Sequence, residues 1–234
     1  MDGRDGTRIG AILPRLPAPE DIRLRAPGGP PLAASLWGAP PGAPGVVVVP
    51  GFGSRRQNHA DFAAAAAGAG MAALALDVRG HGESGGRLDG GALDDVLAAL
   101  GHLAARGHAP LGVRGSSMGG FLALHAAARE PRVRAVVAIC PARPDGLART
   151  AGGDWPLGLP LEPAVERADG VARGFWHATG DDRVPWSWSF ALAGRAHPPV
   201  RLHVAMGGGH GTLQHDPAVI AASVRFLRAH LRTP

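Results

Sequence analysis

Leu111-Gly112-Val113-Arg114-Gly115-Ser116-Ser117-Met118-Gly119 runs from an apolar stretch into an uncharged one rich in alanine and leucine. The first part reads as a strand over 111–115 and the second as a helix over 118–130. Between them lies a G-x-S-x-G run with only Ser117 at its centre. A serine on so tight a turn takes a strained backbone, and larger neighbours would clash, so the flanking residues are glycine and the hydroxyl is exposed. With 36 glycines in the chain the pattern alone is weak, since chance supplies it roughly 0.2 times. Its place between a buried strand and a good helix gives it weight. The plainer alternative is a glycine-rich helix start capped by Ser116 or Ser117.

Outward from this turn, strands and helices alternate. Val46-Val47-Val48-Val49 is a continuous β-branched run, as a strand buried on both faces requires. Further strands are read at 72–77, 133–139, 173–179 and 200–205, with helices at 59–69, 91–106, 187–196 and 217–231. Towards the amino end, 32–37 reads as an outer strand that 22–26 can pair with. The fold class is α/β, with a mostly parallel central sheet of about eight strands and helices on both faces. No repeat or long linker divides the chain, so 22–234 is expected to form one domain behind an extension over 1–21.

The 234 residues, 45% hydrophobic and 18% charged, suffice for one core and exclude disordered, collagen-like and disulfide-rich classes; there is one cysteine, Cys140. No lysine is present, which removes Walker A phosphate binding, Schiff-base chemistry and Ser-Lys catalysis. The sequence pI near 11.2 exaggerates a modest net charge of +5, because almost nothing titrates between a thiol and arginine. The arginines are scattered, and Arg55-Arg56 and the row Arg225, Arg228, Arg232 read as solvated faces, so no nucleic-acid partner is expected. Charges at Asp2, Arg4, Asp5 and Arg8 leave no secretory apolar stretch, and 62–76 is too short and too rich in alanine to span a membrane. A cytoplasmic protein without membrane partners is the expectation.

In open α/β sheets ligands bind at the carboxyl ends of the strands, and three more loops there are unusual. A serine hydroxyl needs a base and a group to orient it. Among eleven histidines, His210 stands in Gly207-Gly208-Gly209-His210-Gly211 straight after the last strand. His125 and His102 lie inside helices and read as solvent-facing or packing residues. His177-Ala178-Thr179-Gly180-Asp181-Asp182 supplies carboxylates that can fix the imidazole tautomer; Asp181 is preferred, with Asp182 as a substitute. Pro50-Gly51-Phe52-Gly53 follows the valine strand, and the backbone N–H groups of Phe52 and Met118 are candidates to bind a developing oxyanion.

These residues together resemble the α/β-hydrolases, in the chain order nucleophile, acid, histidine, here Ser117, Asp181 and His210. The resemblance extends from about residue 22 to 231. Asp77-Val78-Arg79-Gly80-His81-Gly82-Glu83-Ser84 is similar to the D-x-R-G-H-G-x-S segment of many members, and the acid segment resembles H-G-x-x-D-x-x-V-P. Pro50 stands where a histidine is usual, and Ala178 where a glycine is common. The resemblance implies attack by Ser117 on a carbonyl, an acyl-enzyme, no cofactor, and a small-molecule ester or related acyl substrate. A serine rather than an aspartate at the turn argues against halide or epoxide cleavage.

In this family the insert after the sixth strand, here 141–169, sets much of the specificity. It is short, so a small flap over an open pocket is expected, with minimal cap. Trp155 within it and Trp186 after the acid loop are candidate substrate-binding residues, with Trp188, Phe52 and Met118 as further lining. Gly80, Gly82 and Gly85 spell G-x-G-x-x-G, but no helix opens there as dinucleotide binding demands, and His81 and Glu83 read as structural. His210 and His215 lack a third ligand at useful spacing, so no metal is expected. Cys140 ends an apolar run, away from the serine turn in sequence, and reads as a buried filler. The alternatives are a thioesterase, an amide or small-peptide hydrolase or a cofactor-free perhydrolase using the same residues, and, from another class, a non-catalytic ligand-binding protein. Nothing in the sequence fixes an oligomeric state.

Overall fold

The computed structural model describes residues 18–150 and 158–232. Eight strands form one sheet: β1 (Glu20–Arg25), β2 (Pro31–Trp37), β3 (Gly45–Val49), β4 (Ala72–Leu76), β5 (Leu111–Ser116), β6 (Val133–Ile139), β7 (Ala172–Ala178) and β8 (Val200–Ala205). Their order is β1-β2-β4-β3-β5-β6-β7-β8. β1 and β2, and β2 and β4, pair antiparallel; every other pair is parallel. Ile22 faces Ala34 across the first pair, the pairing expected of the two outer strands.

The valine run explains the layering. In a strand successive side chains point to opposite faces. Val47 and Val49 therefore join one core, beneath α2 (Ala92–Ala105) and α3 (Met118–Ala127), and Val46 and Val48 join the other, beneath α1 (Ala60–Gly68) and α7 (Pro217–His230). All four are fully buried, each worth about 1.5–3 kcal/mol relative to exposure. The edge strands β1 and β8 alternate exposed and partly covered positions, as edges with one solvated side do. α7 starts where Pro217 follows Asp216, whose carboxylate accepts the N–H groups of Ala218 and Val219 at 2.8 and 3.0 Å.

The insert after β6 contains two short helices among its described residues, α4 (Pro144–Thr150) and α5 (Glu162–Arg167), which its proline, glycine and charge content hides. The described residues form no large cap. α6 (Trp186–Arg195) follows the acid loop. No described helix is long and apolar enough to cross a membrane.

The segment after β4 is held by two ion pairs that sequence spacing does not reveal. Asp77 accepts from the Arg56 backbone N–H and guanidinium, both at 2.6 Å, and from the Glu83 N–H at 3.0 Å. Asp95 takes Arg79 through Nε and Nη2 at 3.0 and 2.7 Å. Asp77 and Asp95 are fully buried. A Cβ on Gly82 would lie 2.1 Å from Asp77 Oδ2, so the glycine of the G-H-G run makes room for the carboxylate. This corrects the reading of Arg55-Arg56 as a solvated face: Arg55 is exposed, but Arg56 is 3% exposed and neutralised by Asp77. Arg225, Arg228 and Arg232 are exposed, as expected.

Candidate active site

Ser117 stands between β5 and α3 at φ 53°, ψ −116°, a conformation that L side chains rarely adopt. Sterics explain the two glycines around it. A Cβ at Gly115 would sit 2.1 Å from the carbonyl oxygen of Gly119, and one at Gly119 would sit 2.0 Å from that of Val49. The turn packs against β3 and its own helix too closely for any side chain, and this raises Ser117 above the sheet. Ser117 is no side-chain cap of α3, which disposes of the plainer reading of the turn.

Asp181 and His210 come together across loops 29 residues apart, with His210 Nδ1 donating to Asp181 Oδ2 at 2.8 Å. Asp181 Oδ1 accepts the N–H groups of Arg183 and Val184, both at 2.9 Å. His177 Nε2 lies 2.9 Å from the Val184 carbonyl and 3.2 Å from Asp181 Oδ2; facing two acceptors, it carries the proton, and Nδ1 accepts from the Ser189 hydroxyl at 2.7 Å. Burial alone would raise the Asp181 pKa; the hydrogen bonds from His177 and His210 and from two backbone N–H groups outweigh it and hold the carboxyl well below the usual range. Asp182 is exposed and takes no part in this network. With Nδ1 committed to Asp181, the free lone pair of a neutral His210 is on Nε2.

The histidine loop is pinned despite its glycines. Gly207 N–H donates to Thr179 Oγ1 at 2.8 Å, Gly209 N–H to Thr212 Oγ1 at 2.9 Å, and the Cys140 thiol to the His210 carbonyl at 3.3 Å. Cys140 is the residue that sequence order misplaces. At φ 37° it turns off the end of β6, and its Sγ, an Asp181 oxygen and a His210 ring nitrogen all lie within 4.8 Å of one another. Burial pushes this thiol up to about 12, so it stays protonated. A metal at these three groups would have to deprotonate the thiol and displace the Asp181–His210 hydrogen bond; the donor set serves a proton chain better. His215, considered beside His210 from sequence, bonds Asp61 instead, at 3.0 Å.

Ser117 and His210 line one cavity of about 390 Å³ together with Gly51, Phe52 and Cys140. The Ser117 hydroxyl makes no hydrogen bond among the described residues, so the serine–histidine contact is open; such contacts tighten when a substrate binds. Gly51 brings its loop against the serine, since a Cβ there would be 3.4 Å from Ser117 Cβ. The Pro50–Ser54 turn closes through Ser54 N–H to the Gly51 carbonyl at 3.0 Å, and neither Phe52 nor Met118 N–H has a protein acceptor among the described residues. The far wall is Arg143 and, in α4, Asp145, Leu147 and Arg149, none of which the sequence singles out.

Of the aromatic candidates, Trp155 lies outside the described residues. Trp186 is 40% exposed and meets Phe190 edge-on; its neighbour Pro185 reaches the cavity wall, and Trp186 does not. Trp188 packs under the Arg143 guanidinium at 5.4 Å. The Met118 side chain is wholly buried in the core. His125 is 5% exposed against Phe121, a packing residue, and the Nε2 of His102 is buried without a partner. His81 bonds the Arg79 carbonyl and Glu83 pairs with Arg56, both structural roles.

A parallel sheet crossed by a strained serine turn, with a carboxylate–imidazole pair arriving from the next strand ends, is the arrangement of the α/β-hydrolases. The chain has the α/β-hydrolase fold. Residues 42–150 match the model of the serine aminopeptidase family S33. The fold is similar to that of an α/β-hydrolase, GrgF, from a Penicillium species, at TM-score 0.79 and 18% identity over 92% of this chain and 99% of that one. It is also similar to Est1E from Butyrivibrio proteoclasticus, seen with ferulic acid bound, at TM-score 0.77 and 20% identity over 89% and 98% of the two chains. The Pyrococcus furiosus esterase Pf2001 matches at TM-score 0.77 and 19% identity over 92% and 91%. No curated protein matches the sequence.

Proposed function

We propose that the protein is a serine hydrolase that cleaves carboxylic esters through an acyl-enzyme. Ser117 attacks the carbonyl carbon while His210 Nε2 takes its proton; Asp181 holds the imidazole in the required tautomer and stabilises the imidazolium. The N–H groups of Phe52 and Met118 bind the oxyanion, each worth a factor of about 10²–10³ in rate. His210 then protonates the leaving alkoxide, and the same residue activates the water that hydrolyses the acyl-enzyme. The observation that carries this reading is the 2.8 Å bond from His210 to a deeply stabilised Asp181, at the wall of the cavity into which the strained Ser117 turn opens. The esterases among the similar structures support the choice of ester.

A second reading, hydrolysis of amides or small peptides with the same residues, is favoured by the serine aminopeptidase match. Rates on an ester, a thioester and an amide of equal acyl length, for wild type and Ser117→Ala, separate the two. The ester should turn over fastest, and Ser117→Ala should lose at least about 10³ in kcat. Faster turnover of the amide would make the peptidase reading correct, and an undiminished Ser117→Ala would move the nucleophile elsewhere.

A further inference from the structure

Beyond Phe52 the site continues into a second cavity of about 700 Å³, which shares Phe52 and Ser54 with the first. Among the described residues its wall contains Arg55, Arg87, Asn58 and His81, and no aspartate or glutamate. Both arginines are exposed, and neither guanidinium makes a hydrogen bond or ion pair with any described residue. The nearby carboxylates are engaged elsewhere. Asp77 and Glu83 pair with Arg56, and Asp89 pairs with Arg79 at 2.6 Å. His81 is held edge-on to Phe52 at 5.5 Å by its Nδ1–H donating to the Arg79 carbonyl at 3.2 Å, so it shapes the basin wall and leaves the charge to the arginines. The serine cavity differs: there Asp145 takes both Arg143 and Arg149, at 3.0 and 3.3 Å.

Two uncommitted guanidiniums in a basin without acid attract an anion, and their planar forks suit carboxylate or phosphate oxygens. We propose that this second cavity binds an anionic group carried by the substrate, a carboxylate or a phosphate, between Arg55 and Arg87, while the scissile carbonyl lies at Ser117. The assignment rests on the serine-hydrolase reading for the carbonyl's place and on the basin alone for the charge. It explains why the proposed oxyanion loop is followed directly by Ser54-Arg55: one turn serves the reacting carbonyl on one side and the distant charge on the other.

The test compares aryl esters of equal acyl length ending in a methyl, a carboxylate or a phosphate. With wild type, kcat/KM should be higher for a charged ester than for the neutral one by about tenfold or more, and the advantage should shrink with added salt. The larger advantage identifies which anion the basin takes. In Arg55→Ala/Arg87→Ala that ratio should collapse toward one; in Arg225→Ala, on the exposed face of α7, it should persist. Calorimetric binding of the same esters to Ser117→Ala reads the basin without turnover. Equal affinity for charged and neutral esters there, or a ratio unchanged by the double substitution, overturns the proposal. Tighter binding of a charged ester to Ser117→Ala, with no ester cleaved by wild type, leaves the anion site standing and removes the hydrolase reading.

Discussion

Asp181→Asn exchanges one carboxylate oxygen for an amide nitrogen at nearly constant size. Oδ1 already accepts two backbone N–H groups at 2.9 Å, so the amide oxygen must take that side. The amide nitrogen then falls at the place of Oδ2, 2.8 Å from His210 Nδ1 and 3.2 Å from His177 Nε2. A group that only donates obliges His210 to offer a lone pair at Nδ1, which sends its proton to Nε2, the nitrogen needed to accept from Ser117. In serine hydrolases of this arrangement the wrong tautomer costs about 10⁴ in kcat, equivalent to about 5.5 kcal/mol of barrier. Folding should suffer much less, by about 1–2 kcal/mol, because His177 keeps its bond to the Val184 carbonyl at 2.9 Å. Burst and steady-state hydrolysis of an aryl ester, with a urea midpoint on the same preparation, measures both effects. A folded Asp181→Asn protein within tenfold of wild-type kcat, beside an inert Ser117→Ala, would refute the assigned role of the carboxylate.

Three further outcomes follow from buried groups. Burial, helped by the Arg114 charge, lowers His59 from 6.5 to about 3, and burial lowers His125 to about 4. The folded protein keeps both neutral while the unfolded chain protonates below 6.5, so their contribution is complete above that pH and is lost as pH falls toward 3–4. By pH 5 each should cost about 2 kcal/mol, seen as a falling urea midpoint; a midpoint constant from pH 7 to 5 contradicts this. Asp95→Ala leaves the nearly buried Arg79 without its main partner and should cost about 3–5 kcal/mol, whereas Asp89→Ala, at a side chain 58% exposed, should cost less than about 1; similar losses would deny the difference in burial. With its pKa pushed up to about 12, Cys140 is thiolate to only about 10⁻⁴ at pH 8, and iodoacetamide should modify it only after unfolding; stoichiometric modification of the native protein would show a different environment.

The sheet was legible because its strands are apolar runs that avoid water: Val46 to Val49 is wholly apolar, and 133–139 is apolar but for Arg134, which turns outward. The rim positions of Ser117, Asp181 and His210 were legible for a related reason, each lying just beyond the carboxyl end of a strand. What sequence hides is contact between rims. Cys140 is 23 residues from Ser117 and 70 from His210, yet it lies in the same cavity, because β6 sits between β5 and β7. His177 opens the acid loop in the sequence, but its bond to Asp181 depends on how the turn folds back through Val184. α4 forms although it contains Pro144 and Gly146, and it lines the cavity through side chains that no motif marks. Arg56 differs from Arg55 through partners distant in sequence, above all the buried Asp77 21 residues away, which no local charge pattern announces.

The central claim, that Ser117 is the activated nucleophile, is tested most directly by a fluorophosphonate probe followed by mass mapping. Cleavage after arginine isolates residues 115–129, a peptide with two serines, 116 and 117, which fragment ions distinguish. One adduct per chain on Ser117, absent from Ser117→Ala, is the predicted result. An adduct on Ser116 or elsewhere, or one that persists in Ser117→Ala, contradicts the account.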